Sequence, residues 1–260
     1  MSYIDIFKTF DSPIKYNGLT FYPVKLIDFY FLSALSTCLT LEKNSIRDPI
    51  LAMKAIQMTY LEYLFSVANA ENELLGMLGG LLKLTLGKKD DDSFQIVWVK
   101  ENGKPILIIN DKKYDSSDFD EIKKIIAEQN LIELPDEKIS KDVRDKMEEA
   151  RAWKQKHSSD QKLATFEEQV VALSLYTGWT VEQISEMSVR KFFLSLKRAN
   201  HMIMSNIYLT AALSGFVTFK DKDVQRTWLA GLEEEDPYAD VKSDPKILHD
   251  KASFEEAMKK

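Results

Sequence analysis

The stretch FQIVWVKENGKPILIINDKKYDSSDFDEIKKIIAEQN, residues 94–130, changes its hydrophobic period part-way and so decides between an all-helical chain and a mixed one. Its first half alternates and is β-branched, and Asn102-Gly103 supplies a tight turn between two strands, because both residue types tolerate positive φ. Pro105 lacks an N–H, so it belongs on an edge or at the start of a strand. The spacing then becomes helical: Asp118, with Glu121 three residues on and Ile122, Ile125 and Ile126 behind it, predicts a capped amphipathic helix. Residues 93–134 thus read as a compact ββα unit.

Toward the N-terminus, GKKDDDS at Gly87–Ser93 breaks the pattern with a glycine and charge, as a surface loop would. Before it, Leu74–Leu86 is apolar but too short for a bilayer, which needs about 20 residues, and Lys83 interrupts it. A buried helix end is expected, its glycines marking either a flexible end or close helix packing. Asp48-Pro49 reads as a cap and first helical position, opening a helix whose stripe runs from Ile50 to Ala68. The dense apolar run Val24–Leu41 predicts a largely buried helix, and IKYNGLTF at Ile14–Phe21 predicts a hairpin about Asn17-Gly18.

Toward the C-terminus, residues 136–162 are almost wholly polar, yet Ile139, Val143, Met147, Ala150 and Trp153 recur at steps of four and three. That spacing draws one narrow apolar stripe along a charged helix, which serves either as a spacer or as a partner-binding seam. Thr165 with Glu168 forms a capping box ahead of Val170, Val171, Leu173 and Leu175. From Glu233 the chain is charged, carries two prolines and offers little that packs. The fold expected is α+β and mainly α-helical: 1–92 an N-terminal β-hairpin plus helices, 93–134 the small ββα unit, 135–162 a long charged helix or linker, 163–232 a C-terminal helical interaction module, and 233–260 a mobile acidic tail.

A net charge of −6 and a pI near 5.3 argue against coating nucleic acid or anionic lipid. The N-terminal residues lack a secretory pattern. The lone Cys38 sits in an apolar run and reads as a small buried hydrophobe. His157, His201 and His249 are widely separated, and no phosphate loop, dinucleotide fingerprint, nucleophile elbow or Cys–His arrangement is present in the sequence. Asp111, Asp115, Asp118 and Asp120 lack calcium-loop spacing and read as turn and capping residues. No cofactor, metal or catalytic group is expected.

LYTGWTVEQISEMSVRKFF, Leu175–Phe193, has the outline of a helix-turn-helix pivoting on Gly178. A DNA-reading helix begun near Thr180 would present Glu182, Gln183, Ser185 and Glu186, and its carboxylates would repel phosphates. A protein-binding corner is the better reading, and a helix-turn-helix regulator the alternative.

Taken together, YNGLTFYPVKLIDFYFLSALSTCLTLEKNSIRDP, MTYLEYLF, DSSDFDEIKKIIAEQN and LYTGWTVEQISEMSVRKFFLSLKRAN resemble tail-morphogenesis proteins of tailed phages and related prophage particles. In that group a Pro-Val helical region precedes a segment matched here by Gly178, Thr180, Glu182, Ile184, Met187 and Phe192. The resemblance implies a non-enzymatic assembly chaperone or minor baseplate component, located in the host bacterial cytoplasm or the virion tail. Its partners would be other tail proteins (tape-measure, hub or baseplate components), with no nucleic acid and no membrane. The candidate partner-binding residues are Ile139, Val143, Met147, Trp153, Trp179, Glu182, Glu186 and Trp228.

Overall fold

The computed structural model describes residues 10–43, 54–68, 73–101, 103–135, 146, 149 and 164–216. It divides into two compact units, Met1–Leu196 and Lys197–Lys260. The fold is mixed and mainly helical, with two small antiparallel sheets.

The first sheet is the hairpin β1 (Ile14–Tyr16) and β2 (Leu19–Phe21), paired Ile14↔Phe21 and Tyr16↔Leu19. Asn17 (φ 43) and Gly18 (φ 84) both take the positive φ that a two-residue hairpin turn requires. After a 3₁₀ turn at Leu26–Asp28 come α1 (Phe29–Ser36) and a second 3₁₀ turn, Thr37–Leu39. The single, largely buried helix expected over Val24–Leu41 is therefore three short pieces, with Leu26, Leu32, Leu35 and Leu39 inward and Ile27, Tyr30 and Phe31 exposed.

Next come α2 (Tyr60–Ala68) and α3 (Glu73–Thr85). The helix expected to open at Asp48 has its start outside the described residues, and its described part is interrupted at Met58 and Thr59. The cause is local. The Thr59 N–H donates to the Glu62 carboxylate (2.8 Å) and the Glu62 N–H donates to the Thr59 hydroxyl (3.3 Å), a capping box that starts a new helix. α3 packs Leu78, Leu81 and Leu82 inward, and a Cβ on Gly80 would meet the Leu35 methyl groups at 3.2 Å. A glycine there lets α1 and α3 approach closely.

The second sheet is a meander of β3 (Ile96–Glu101), β4 (Lys104–Ile109) and β5 (Lys112–Tyr114), followed by α4 (Ser116–Asn130). The unit is thus βββα; the short β5 follows a turn at Asn110 and Asp111, both at positive φ. Pro105 lies near the start of β4, beyond the Leu107–Ile109 span that β5 pairs, so its missing N–H leaves the β4–β5 ladder intact. Pro105, Leu107 and Ile109 alternate inward, as a half-buried strand demands. The cap of α4 lies three residues before the expected one: the Asp115 carboxylate accepts from the N–H groups of Ser117 (2.8 Å) and Asp118 (2.9 Å). Phe119, Ile122 and Ile126 are fully buried beneath it, each contributing about 1.5–3 kcal/mol.

The last elements are α5 (Phe166–Thr177), α6 (Val181–Ser185) and α7 (Val189–Leu213). α7 runs from the first unit into the second, whose described residues end at Phe216; in that second unit Ile203, Ile207 and Leu213 are exposed. Apart from 135, 146 and 149, the expected charged helix at 135–162 lies outside the described residues, as does the tail at 233–260. Among the described residues no helix is long and apolar enough to cross a membrane.

Candidate interaction surface

The hairpin is tied to the rest of the first unit through α4. Asp118, in the first turn of α4, accepts on one oxygen from the Tyr16 hydroxyl and the Asn17 amide, both at 3.0 Å, and on the other from the Asp115 N–H. At the far end of α4, the buried Gln129 donates to the Phe21 carbonyl (3.1 Å) and Asn130 accepts from the Val24 N–H (2.9 Å). Val24 then joins the C-terminal corner: its carbonyl accepts from the Val189 N–H (2.9 Å), and the Leu26 N–H donates to the Met187 carbonyl (2.7 Å). This short antiparallel strap about Lys25 and Ser188 holds α6 and the start of α7 against the N-terminal segment.

Beside the strap lies an open cleft of about 710 Å³ between Tyr22–Asp28, Gly87–Asp91 and Glu186–Ser188. Its lysines are matched by carboxylates: Lys25 with Glu186, Lys88 with Asp91 and Lys89 with Asp28. Hydrogen bonding to Asp28 raises the Lys89 pKa, and hydrogen bonding to Ser93 and then Lys88 lowers that of Asp91. Asp11 and Asp90 line the cleft as well, so five carboxylates face three lysines and it offers no net positive field to an anion. Among the described residues no group of three or more His, Cys, Asp or Glu is placed to hold a metal. Cys38 is fully buried, and desolvation pushes its thiol up to about 12, so it packs as a hydrophobe.

α5 is held differently. At its start the Thr165 N–H donates to the Glu168 carboxylate (2.7 Å), the bond that chiefly holds the Glu168 pKa below the usual glutamate range. At its end Gly178 takes φ 75 and its N–H donates to the Ser174 carbonyl (2.8 Å), closing the helix with the left-handed residue that glycine adopts without strain. On the inner side Phe166 stacks on Phe29 (4.7 Å between ring centroids) and meets Tyr30 and Phe192 edge-on, while Leu173 is buried.

At 100° per residue, Val171 and Leu175 lie roughly 160–200° round the helix from Leu173. Both are exposed, Leu175 at 82%. Exposed Trp179 and Val181 follow beyond the Gly178 turn. An exposed leucine forgoes about 1.5–3 kcal/mol that burial would return. A helix that is apolar on both sides normally has something packed against both.

Of the candidates read from the sequence, Trp179, Glu182 and Glu186 lie within the described residues, all at the corner from the end of α5 through α6. Trp179 is 39% exposed, with its carbonyl accepting from the Ser174 hydroxyl (2.6 Å). Glu182 is exposed in the first turn of α6, its pKa lowered first by hydrogen bonding to Thr180. Glu186 caps the C-terminus of α6 and pairs with Lys25 across the cleft, an exposed ion pair worth about 0–1 kcal/mol. Ile139, Val143, Met147, Trp153 and Trp228 lie outside the described residues. Sequence reasoning took Val171 and Leu175 as packing positions behind a cap. The signal that could have marked them is the run VVALSLY, 170–176, which places apolar side chains all round one helix.

This corner is where the chain meets a known family. Residues 154–233 match a family model described as the YomV second domain. That family is of phage type. The match spans under a third of the chain and takes in all of α5, α6 and α7, so the exposed outer side of α5 falls inside the stretch similar to the YomV second domain. No curated protein and no solved structure matches the chain.

Proposed function

We propose that the protein is a non-enzymatic, protein-binding factor of phage tail or baseplate assembly, acting as an assembly chaperone or a minor structural component. One observation carries the reading: Val171 and Leu175 stand open on the outer side of α5, beyond the Glu167 and Glu168 of its first turn, although both helix ends are capped and the inner side is pinned by an aromatic cluster. A rigid, pre-formed apolar strip suits capture of an amphipathic helix from a tape-measure, hub or baseplate protein, since little ordering cost falls on this side of the contact. The phage-type family match over the same elements supports the setting. The DNA-binding alternative gains no observation in its favour: the helix that would enter a groove spans only Val181–Ser185 and carries Glu182.

The test is complementation of a particle-producing strain lacking this gene with a Leu175→Asp variant. Loss of at least tenfold in intact tails, together with loss of co-purifying tail proteins, is expected. Undiminished tail yield with the tail proteins still bound would rule the reading out.

A further inference from the structure

We infer that two copies of the chain join through the free edge of β3, running antiparallel with their Trp98 residues facing each other across a twofold axis, so that two three-stranded sheets become one. The surface is distinct from the outer side of α5, and the inference stands or falls apart from the assembly reading.

Backbone geometry opens the argument. β3 is the end strand of its sheet. The Asn110 N–H donates to the Gln95 carbonyl (3.2 Å), which fixes the phase of the β3–β4 ladder: Val97, Val99 and Glu101 turn their backbone groups toward β4, and Ile96, Trp98 and Lys100 turn theirs to the open edge. Among the described residues nothing bonds to those outward groups. The other edge of the sheet is managed differently. β5 spans only Lys112–Tyr114, and its Lys112 ammonium (2.6 Å) and Tyr114 hydroxyl (3.2 Å) both donate to the Asn17 carbonyl, which ties it to the hairpin. Shortness, proline, a bulge or a cover normally blunts an edge. β3 has six residues, no proline and the apolar run Ile96–Val99, with Val97 exposed.

Two observations name a second copy as the strand that pairs there. The first is symmetry. Setting Trp98 opposite Trp98 of the other copy, and Ile96 opposite its Lys100, gives every outward N–H and C=O a partner, whereas a shift of two residues either way leaves Ile96 or Lys100 facing no strand. The same register brings Val97 against Val99 of the other copy, an apolar cross-strand pair. The second is charge. Leading into β3, Lys88 pairs with Asp91 and Lys89 with Asp28, which leaves exposed Asp90 and Asp92. At the far end Glu101 is held by Lys113 (2.8 Å), which leaves exposed Lys100 and Lys104. Antiparallel pairing lays the acidic end of each strand beside the basic end of the other, and parallel pairing would set like against like.

Sedimentation of the purified full-length chain reads the association, and two substitutions at one residue assign it to the edge. Lys100 opposes Pro105 with its N–H pointing outward, so Lys100→Pro removes an outward donor while the β3–β4 bonds stay, and Lys100→Ala keeps that donor. The native chain and Lys100→Ala are expected to form a concentration-dependent dimer, and Lys100→Pro to dimerise at least about tenfold more weakly. A native chain that stays monomeric would overturn the inference and leave the edge to the strand of a different protein. A Lys100→Pro dimer of native strength would put the contact elsewhere and overturn it too. A second readout needs no proline: mixing Val97→Cys and Val99→Cys chains under mild oxidation is expected to give a disulfide-linked mixed dimer, while either variant alone stays largely unlinked. Cys38, buried and with its thiol pushed up to about 12, stays out of the reaction. No mixed dimer, or linking of each variant to itself instead, would contradict the register and the inference with it.

Discussion

α4 and α5 are both opened by a side-chain capping box and closed by a left-handed residue, yet they differ in what they show to solvent. α4 follows the usual division: Phe119, Ile122 and Ile126 inward, with Glu121, Lys124 and Glu128 outward and Glu121 accepting from Lys124 at 2.6 Å. α5 has an aromatic inner anchor and, past the Glu167 and Glu168 of its first turn, exposed Val171 and Leu175 on its outer side. The caps and turns do the same work in each, so the contrast lies in the outer residues alone. One helix is finished by water, and the other leaves Val171 and Leu175 open on the side that we propose a partner polypeptide covers.

The largest way to break this comparison acts on the strut. Phe119→Ala should lower the unfolding free energy by about 3–5 kcal/mol, read by urea denaturation, because a fully buried ring is removed from beneath α4. A loss under 1 kcal/mol would mean that α4 is not a core strut. Next comes the strap: Asn130→Ala strips the Val24 N–H of its acceptor and should cost about 1–3 kcal/mol. It should also raise hydrogen exchange at Val24 and Leu26, and a neutral effect would show that the strap holds without α4.

Smaller still is the C-terminal cap of α5. Gly178→Ala meets no steric contact within 4 Å but must hold φ 75, a conformational cost of about 1 kcal/mol. A stabilising effect would contradict the left-handed assignment. The smallest effect is electrostatic. The Glu168 pKa is lowered in the folded chain, so its contribution is fully present above the usual glutamate range and lost as pH falls through its folded value. Glu168→Gln, which keeps a capping side chain, should flatten that acid limb, and a carboxyl NMR titration at or above the usual value would exclude the assignment.

The features legible in the sequence were those written in local chemistry. Asn17-Gly18, the turn at Gly103 between Glu101 and Lys104, and Thr165 with Glu168 each solve a backbone problem within four residues, and each sits where expected. Thr59 with Glu62 obeys the same rule, but a helical stripe running past it from Ile50 masked the break. The short β5 was hidden because Lys112 and Lys113 look like loop residues until Ile109 pairs with Lys112. The strap joining Val24 and Leu26 to Met187 and Val189 has no local signature, since backbone groups distant in sequence pair regardless of side chain. As for the candidate surface, Trp179 was picked for its chemistry, whereas Val171 and Leu175 needed the inner face of α5 to be located first.

The most direct test of the account sets the two helices side by side in particle-producing cells, comparing Leu175→Asp on the outer side of α5 with Lys124→Asp on the outer side of α4, both checked for native circular dichroism. The account predicts that the α5 variant loses its association with tail components and the yield of intact tails falls at least tenfold, while the α4 variant assembles normally. Equal assembly by both folded variants would contradict it.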